Sequence, residues 1–141
     1  MALSEEFKQI GYDIIRAAFD VRNNSGRCLR EVYYRKALAW ELQQRGYDAQ
    51  QEVMVPALYR GNKIGDAFQA DIVVDNRVVI EVKAIGKMDE EESRQLITYM
   101  KLSDFKLGYL INFGANVFKT GKISDPFPYD KGIYRIVNGI E

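Results

Sequence analysis

The sequence predicts an α/β protein with a central mixed β-sheet flanked by helices. Three segments carry apolar residues at helical spacing, and runs rich in β-branched residues separate them. One helical segment lies between two short apolar runs, and this strand–helix–strand order indicates a crossover between parallel strands. No internal repeat or low-complexity linker interrupts the pattern, so we expect a single domain over residues 1–141.

The three helices are predicted from their ends and their apolar stripes. The first begins at Ser4 as N-cap and ends within residues 23–26. The second covers residues 29–45 before Gly46, and the third follows Asp89, with Glu92 three residues on as in a capping box. The residues expected to face the core are Phe7, Ile10, Ile14, Ala17, Ala18 and Val21, then Leu29, Val32, Tyr33, Leu38 and Leu42, then Leu96, Ile97, Met100 and Leu102.

The strands are predicted from runs of β-branched and aromatic residues. Between residues 51 and 71 we expect a meander of short strands, because Pro56 follows the first run and residues 60–63 form a turn. After the third helix, the pattern predicts a buried strand at residues 107–113, a returning strand at 117–119, an irregular loop at 124–132 and a last strand at 133–137.

Composition excludes several kinds of site. Lys plus Arg and Asp plus Glu number 20 each, so no general basic field attracts nucleic acid. The absence of histidine excludes Ser-His-Asp, Cys-His and His-rich zinc centres, and any metal site must use oxygen ligands. One cysteine, Cys28, excludes an internal disulfide framework and fits a reducing cytoplasm. We expect no membrane partner, because no apolar run has the length of a membrane span and the N-terminus lacks a signal-peptide pattern.

Residues 71–83 carry the candidate site. Two β-branched runs around Asp-Asn-Arg indicate a hairpin, with Asp71 on its first strand and Glu81 and Lys83 on one face of its second. Two carboxylates on adjacent strands, together with the Val82 carbonyl, offer oxygen ligands to a divalent cation. A lysine beside them can stabilise charge that builds on a phosphate. The pattern therefore indicates the minimal equipment for phosphodiester hydrolysis.

The alternative for this hairpin is an interstrand salt bridge between Asp71 and Lys83 on a solvated face, where such pairs contribute little. Val73 and Val79 share the face of the acids, so it is partly apolar, and unpaired charges there would be costly. From spacing alone both interpretations remain open.

The register of the hairpin sets a condition on the site. Asp71 lies opposite Glu81 only if Val74 pairs with Val78, which leaves a three-residue loop over residues 75–77. A two-residue loop would point the acids to opposite faces. A three-residue loop usually needs a left-handed residue, which the asparagine or the arginine of this loop would have to supply.

Three polar residues on the helices have ordinary explanations when taken alone. Glu31 lies near the edge of the second helix's apolar stripe, where a solvated carboxylate is expected. Gln95 and Tyr99 are four residues apart on the third helix and so share a face. Without other context, Gln95 is an exposed helix glutamine.

These residues together resemble a known nuclease pattern. Asp71 followed by Glu81-Val82-Lys83 is similar to the PD-(D/E)xK core, with an acid on one strand and E-x-K on the next. Other segments resemble the small bacterial GxxExxY family of that superfamily, and the resemblance covers about residues 4–119, leaving 120–141 as a C-terminal extension. The segments lie at residues 28–34, 37–42, 46, 53–56, 59–61, 64–65, 70–71, 95–99 and 107–114.

The resemblance implies a restriction-endonuclease-like core and metal-dependent hydrolysis of DNA, or RNA, by an activated water, with Mg²⁺ or Mn²⁺ as cofactor. Lys83 would be the catalytic lysine. Gln95 and Tyr99 match a Q-x-x-x-Y pattern in which the glutamine shapes the site or contacts nucleic acid. The implied metal ligands are Glu31, Asp71, Glu81 and the Val82 carbonyl. Further candidates for nucleic-acid contacts, each otherwise a solvated side chain, are Lys63, Lys87, Arg94, Lys101 and Lys106.

The chain departs from the family pattern at two positions. Cys28 stands where the family name has Gly, so the entry to the second helix is expected to differ, and Ala70 stands where the superfamily name has Pro. No acid or lysine of the motif is missing. Two other functions stay open: a non-catalytic nucleic-acid-binding or assembly module with this fold, and a structural protein with an ion-pair network. A homodimer is also open for a chain of 16.2 kDa.

Overall fold

The computed structural model describes residues 3–86, 88–125 and 130–138. Within these ranges the chain forms three helices and a six-stranded mixed sheet, so the predicted α/β class is confirmed. The elements in chain order are α1 (Glu5–Ser25), α2 (Glu31–Gln44), β1 (Ala49–Tyr59), β2 (Asn62–Val74), β3 (Val78–Lys83), α3 (Glu90–Ser103), β4 (Leu107–Asn112), β5 (Lys119–Lys122) and β6 (Gly132–Val137).

The strands are ordered β1-β2-β3-β4-β6-β5 across the sheet. β3 and β4 are parallel, with α3 between them in the chain, as the strand–helix–strand order predicted. β6 lies within the predicted C-terminal extension and pairs with β4, so this part of the chain contributes to the sheet. The returning strand predicted at residues 117–119 is displaced to β5, and the predicted loop at 124–132 falls partly outside the described residues.

The two faces of the sheet bury different helices. Alternate residues of β3, Val78, Ile80 and Val82, pack in one core with α1 and α2, whereas Val79 packs in a second core with Leu96 of α3. Because side chains alternate along a strand, Glu81 and Lys83 lie on the α3 face. The candidate site is therefore on that face.

Local capping signals predicted the helix ends correctly. Ser4 Oγ accepts a hydrogen bond from the Phe7 N–H at 3.3 Å, and Asp89 Oδ1 accepts one from the Glu92 N–H at 2.9 Å. Gly46 follows α2 with a φ of 90°, the left-handed conformation that a glycine after a helix commonly adopts.

The predicted buried stripe of α2 is wrong in its first half. Leu29, Val32 and Tyr33 are exposed, and the buried residues of the helix are Tyr34, Leu38, Ala39 and Leu42. The buried residues recur at spacings of four, five and eight from Tyr34 and form one face of the helix. Which face meets the sheet is decided by tertiary placement, since this helix carries apolar residues on more than one face.

The predicted meander before residue 71 is also wrong, because β1 and β2 form one long hairpin. Their turn is Arg60-Gly61, both with positive φ, and Tyr59 pairs with Asn62. Pro56 does not end β1. The pairing shifts register beside it instead, and an edge strand tolerates the missing N–H. Among the described residues, no helix is both long and apolar enough to cross a membrane.

Candidate metal centre

The pairing of β2 with β3 confirms the predicted register. Val74 pairs with Val78, leaving a three-residue loop over residues 75–77. Its left-handed residues are Asp75 and Asn76, with φ of 52° and 55°; the asparagine is one of the two predicted candidates, and Asp75 was not predicted. Asp and Asn adopt this conformation more readily than other non-glycine residues. The loop therefore keeps both candidate acids on the same face of the sheet.

The two acids join the strands where the regular pairing stops. The Asp71 main-chain N–H donates to Glu81 Oε1 at 3.2 Å, and the Val82 N–H donates to Asp71 Oδ2 at 2.8 Å. Each carboxylate is thereby held against the opposite strand. In the described part of the chain, Lys83 forms no direct ion pair with either acid, so the salt-bridge alternative is not what holds this hairpin together.

β1 is irregular directly beside Asp71. Gln51 pairs with Ile72 and Val53 with Ala70, so Glu52 is the residue across from Asp71, and it has a φ of 53°. A positive φ is uncommon for a glutamate in a strand. Arg35 of α2 holds this stretch through its Nε–H to Gln51 Oε1 at 3.1 Å and an ion pair with Glu52 at 3.1 Å. The irregularity was not predictable from residue types.

The acids interact strongly through their charges. Burial and then the neighbouring charge of Asp71 raise the pKa of Glu81 to about 8, and the opposing effect of Lys83 is smaller. Partial desolvation also raises the pKa of Glu31, although the residue as a whole is exposed; Lys83 acts in the opposite direction, and the charges of Asp71 and Glu92 add to the rise. Carboxylates that repel one another in a poorly solvated place are stabilised in their ionised form by a bound cation.

Glu31 and Tyr34 of the Cys28-x-x-Glu31-x-x-Tyr34 motif have separate tasks. Glu31 is exposed and is the first residue of α2, close enough to the hairpin for its pKa to respond to Lys83 and Asp71. Tyr34 is fully buried. Its hydroxyl donates to the Gly26 carbonyl at 2.7 Å and accepts from the Leu29 N–H at 3.1 Å, which fixes the turn that leads into α2. Cys28, the departure from the family name, is exposed.

A pocket of about 150 Å³ opens beside Glu81. Its lining includes Glu81, Lys83, Glu92, Gln95, Tyr99 and Phe68. The Gln95 side-chain amide donates to the Tyr99 hydroxyl at 3.0 Å, and the Tyr99 ring stacks on Phe68 with a centroid distance of 4.8 Å. The structure therefore brings the predicted Q-x-x-x-Y pair to the same pocket as Glu81 and Lys83.

Sequence reasoning missed two residues of this region. Glu92 was predicted only as a capping residue, yet its Oε2 is buried and has no hydrogen-bond partner among the described residues. Asn112 is 2% exposed, and its side chain bonds the Ile85 N–H, the Ile85 carbonyl and the Gly114 N–H. Asn112 thereby holds the segment that follows Lys83. In the sequence, Asn112 could have been identified as the single asparagine that ends an apolar strand.

Of the residues predicted to contact nucleic acid, one lies beside the pocket and others lie away from it. Arg94 is exposed on α3 beside the pocket and pairs with Glu90 at 2.7 Å. Lys63 lies near the far turn of the β1–β2 hairpin, eight residues from Asp71 and so at most ~27 Å along the strand. Lys101 and Lys106 are exposed, and neither lines the pocket. Lys87 lies outside the described residues.

The donor atoms here suit a hard divalent cation in their chemistry. They are carboxylate oxygens, held near one another without a matching number of cationic side chains, and one of them, in Glu92, lacks any partner. Within the described residues, no three Cys, Asp or Glu side chains lie in one group that could hold a metal ion. The residues fit a Mg²⁺ or Mn²⁺ ion by charge and ligand type, and Asp71 and Glu81 are joined through the Asp71 main-chain N–H.

Comparison with known proteins agrees with this geometry. A family model described as the PD-(D/E)XK nuclease superfamily matches residues 8–123. No curated protein and no solved structure gave a significant match. The matched range contains α2, the β2–β3 hairpin, α3 and β4, which together build the pocket and its acids. This chain belongs to the PD-(D/E)XK nuclease superfamily.

Proposed function

We propose that the protein is a Mg²⁺- or Mn²⁺-dependent nuclease that hydrolyses phosphodiester bonds in DNA, or in RNA. One observation carries the proposal: Asp71 and Glu81 are bonded across β2 and β3, and Lys83 shares the face of Glu81 at the edge of an open pocket. Within the superfamily, the Cys28-x-x-Glu31-x-x-Tyr34 segment supports the GxxExxY family. A cytoplasmic location, a single domain and a homodimer remain proposals of the same kind.

In this proposal Glu31, Asp71, Glu81 and the Val82 carbonyl hold the cation. A bound divalent cation supplies a Lewis acid, which polarises phosphate oxygens and lowers the pKa of water. The ammonium group of Lys83 stabilises the negative charge that grows on the phosphate during hydrolysis. Its lack of an ion-pair partner among the described residues leaves it available for this task.

The residues of α3 form the substrate side of the site. Gln95 and Tyr99 are joined by a hydrogen bond and line the pocket together, so they present one amide and one aromatic ring to a nucleic-acid strand. Aromatic rings bind bases by stacking, and Arg94 beside them offers charge to a phosphate. A local patch of this kind is needed because the chain as a whole carries no net charge.

Cleavage assays with Mg²⁺ or Mn²⁺ on duplex DNA, single-stranded DNA and RNA test the proposal. Asp71→Asn, Glu81→Gln and Lys83→Met should each lower the rate about 100- to 1,000-fold, as loss of one charge-stabilising group does elsewhere. Glu91→Gln removes an exposed charge from α3 and should cleave like the wild type. Cleavage that survives Asp71→Asn and Lys83→Met comes from a contaminant. Nucleic-acid binding without cleavage would favour the non-catalytic module.

A further inference from the structure

We infer that Glu92 of α3 is a fourth carboxylate of the metal centre and contacts the divalent cation from the helix side. This inference rests on the proposed function, because it assigns another ligand to the same cation. It extends the predicted ligand set of Glu31, Asp71, Glu81 and Val82.

The first support is an unsatisfied carboxylate oxygen. Glu92 Oε2 has no solvent contact and no hydrogen-bond partner among the described residues. Leaving a charged oxygen buried and unpaired is costly, so native proteins retain such a group where an ion, an ordered water molecule or a catalytic task accounts for it. The capping of α3 does not need this side chain, since the Asp89 carboxylate is what accepts the Glu92 N–H.

The second support is position. Glu92 lines the same pocket as Glu81 and Lys83, and its charge acts on the Glu31 carboxylate. Glu92 and Gln95 are three residues apart, so they share the face of α3 that lines the pocket. Carboxylates from two elements, Glu81 of β3 and Glu92 of α3, therefore line this pocket together.

The third support is the balance of charge. The neighbouring cation of α3, Arg94, is already paired with Glu90 at 2.7 Å, and the other cation of the pocket is Lys83. The carboxyl groups of Glu31, Asp71, Glu81 and Glu92 outnumber the cations that act on them, Lys83 and Arg35. A divalent cation supplies both the missing charge and a partner for the orphan oxygen, and Glu is an ordinary ligand for Mg²⁺ and Mn²⁺.

Isothermal titration of Mn²⁺ into the full chain tests the inference without a cleavage assay. Glu92→Gln should weaken Mn²⁺ binding about 10- to 100-fold, the range found when groups supporting a metal site are removed. The matched control is Glu91→Gln, which removes the same charge from an exposed neighbour and should bind within about twofold of the wild type. Glu92→Asp keeps the charge on a shorter side chain and should fall between them.

Thermal unfolding supplies the second measurement. Without metal, Glu92→Gln should melt no lower than the wild type, because a neutral amide replaces a buried unpaired carboxylate, and circular dichroism checks that it folds. With Mn²⁺, its stabilisation should be smaller than that of the wild type. If Glu92→Gln binds Mn²⁺ like the wild type while Glu81→Gln does not, the inference is overturned and the proposed function stands. If the wild type binds no Mn²⁺, both are overturned.

Discussion

Asp71 and Glu81 bond to each other's strands: the Asp71 N–H donates to the Glu81 carboxylate, and the Asp71 carboxylate accepts from the N–H that follows Glu81. The regular pairing of β2 with β3 ends at Ile72 and Ile80. Beyond that point, the two carboxylates accept the hydrogen bonds that join the strands. Because the bonds use the backbone as well as the carboxylates, the separation of the acids is set by the strands. Their mutual repulsion is then built into the folded state.

The burial of Glu81, together with this repulsion, predicts that the metal-free protein loses stability as pH rises. Glu81 ionises near its ordinary pKa of 4.5 when unfolded, but only near about 8 when folded. Between these values the folded state binds the extra proton, so the free energy of unfolding decreases with pH. Relative to Glu81→Gln, the wild type should lose up to about 1.4 kcal/mol per pH unit in this window. Urea denaturation with chelator at pH 5, 6 and 7.5 measures it.

The same series on Glu91→Gln controls for a simple loss of charge, because that glutamate is exposed on α3. Its stability should follow the wild type across the range. A constant difference between wild type and Glu81→Gln from pH 5 to 7.5 would show that Glu81 is ionised in the folded protein throughout.

Local patterns predicted the hairpin because a strand repeats every two residues. A loop with an odd number of residues was predicted because Asp71 and Glu81 had to lie on one face of the sheet. The observed pairing of Val74 with Val78 meets that requirement. The helix caps at Ser4 and Asp89 were predictable for a similar reason, since a cap joins residues three apart in the chain.

Long-range relationships could not be predicted in this way. Asn112 bonds Ile85, 27 residues away, and nothing in either neighbourhood specifies the partner. Whether Glu92 Oε2 has a hydrogen-bond partner depends on the residues that surround it in the fold. The buried face of α2 depends likewise on where the helix lies on the sheet. A prediction from apolar residue type alone therefore placed Val32 and Tyr33 in the core, whereas both are exposed.

Removal of the Tyr34 hydroxyl is expected to loosen the entry to α2. Tyr34→Phe keeps the ring, which stacks on Phe113 at 4.7 Å, but leaves the Gly26 carbonyl and the Leu29 N–H without their partner. The loss should cost about 1 to 2 kcal/mol of stability. Chemical denaturation measures this cost, and amide exchange at Leu29 should accelerate.

Tyr33→Phe is the matched control for that change. Its hydroxyl accepts one exposed hydrogen bond from Ser25, so its removal should change the stability by less than about 0.5 kcal/mol. Equal effects of the two substitutions would mean that the Tyr34 hydroxyl does not hold the turn before Glu31.

Asn112→Ala is expected to be among the most damaging substitutions near the site. It removes the partner of two N–H groups and one carbonyl, at distances of 3.0 to 3.1 Å, in a buried place. We expect a loss on the order of 3 kcal/mol, measured by urea denaturation. The exposed Asn116, in the following turn, gives the control, since Asn116→Ala should stay within about 0.5 kcal/mol of the wild type.

Arg94→Ala tests whether nucleic acid crosses α3. If Arg94 leaves its ion pair with Glu90 to contact a phosphate, the substitution should weaken DNA binding and reduce the slope of log affinity against log salt by about 1. Fluorescence anisotropy on duplex DNA, in chelator to prevent cleavage, measures both. Lys8→Ala removes a similarly paired cation from α1, which packs on the opposite face of the sheet, and should leave the slope unchanged. An unchanged slope for Arg94→Ala would mean that Arg94 stays bound to Glu90 and that the nucleic acid takes another path.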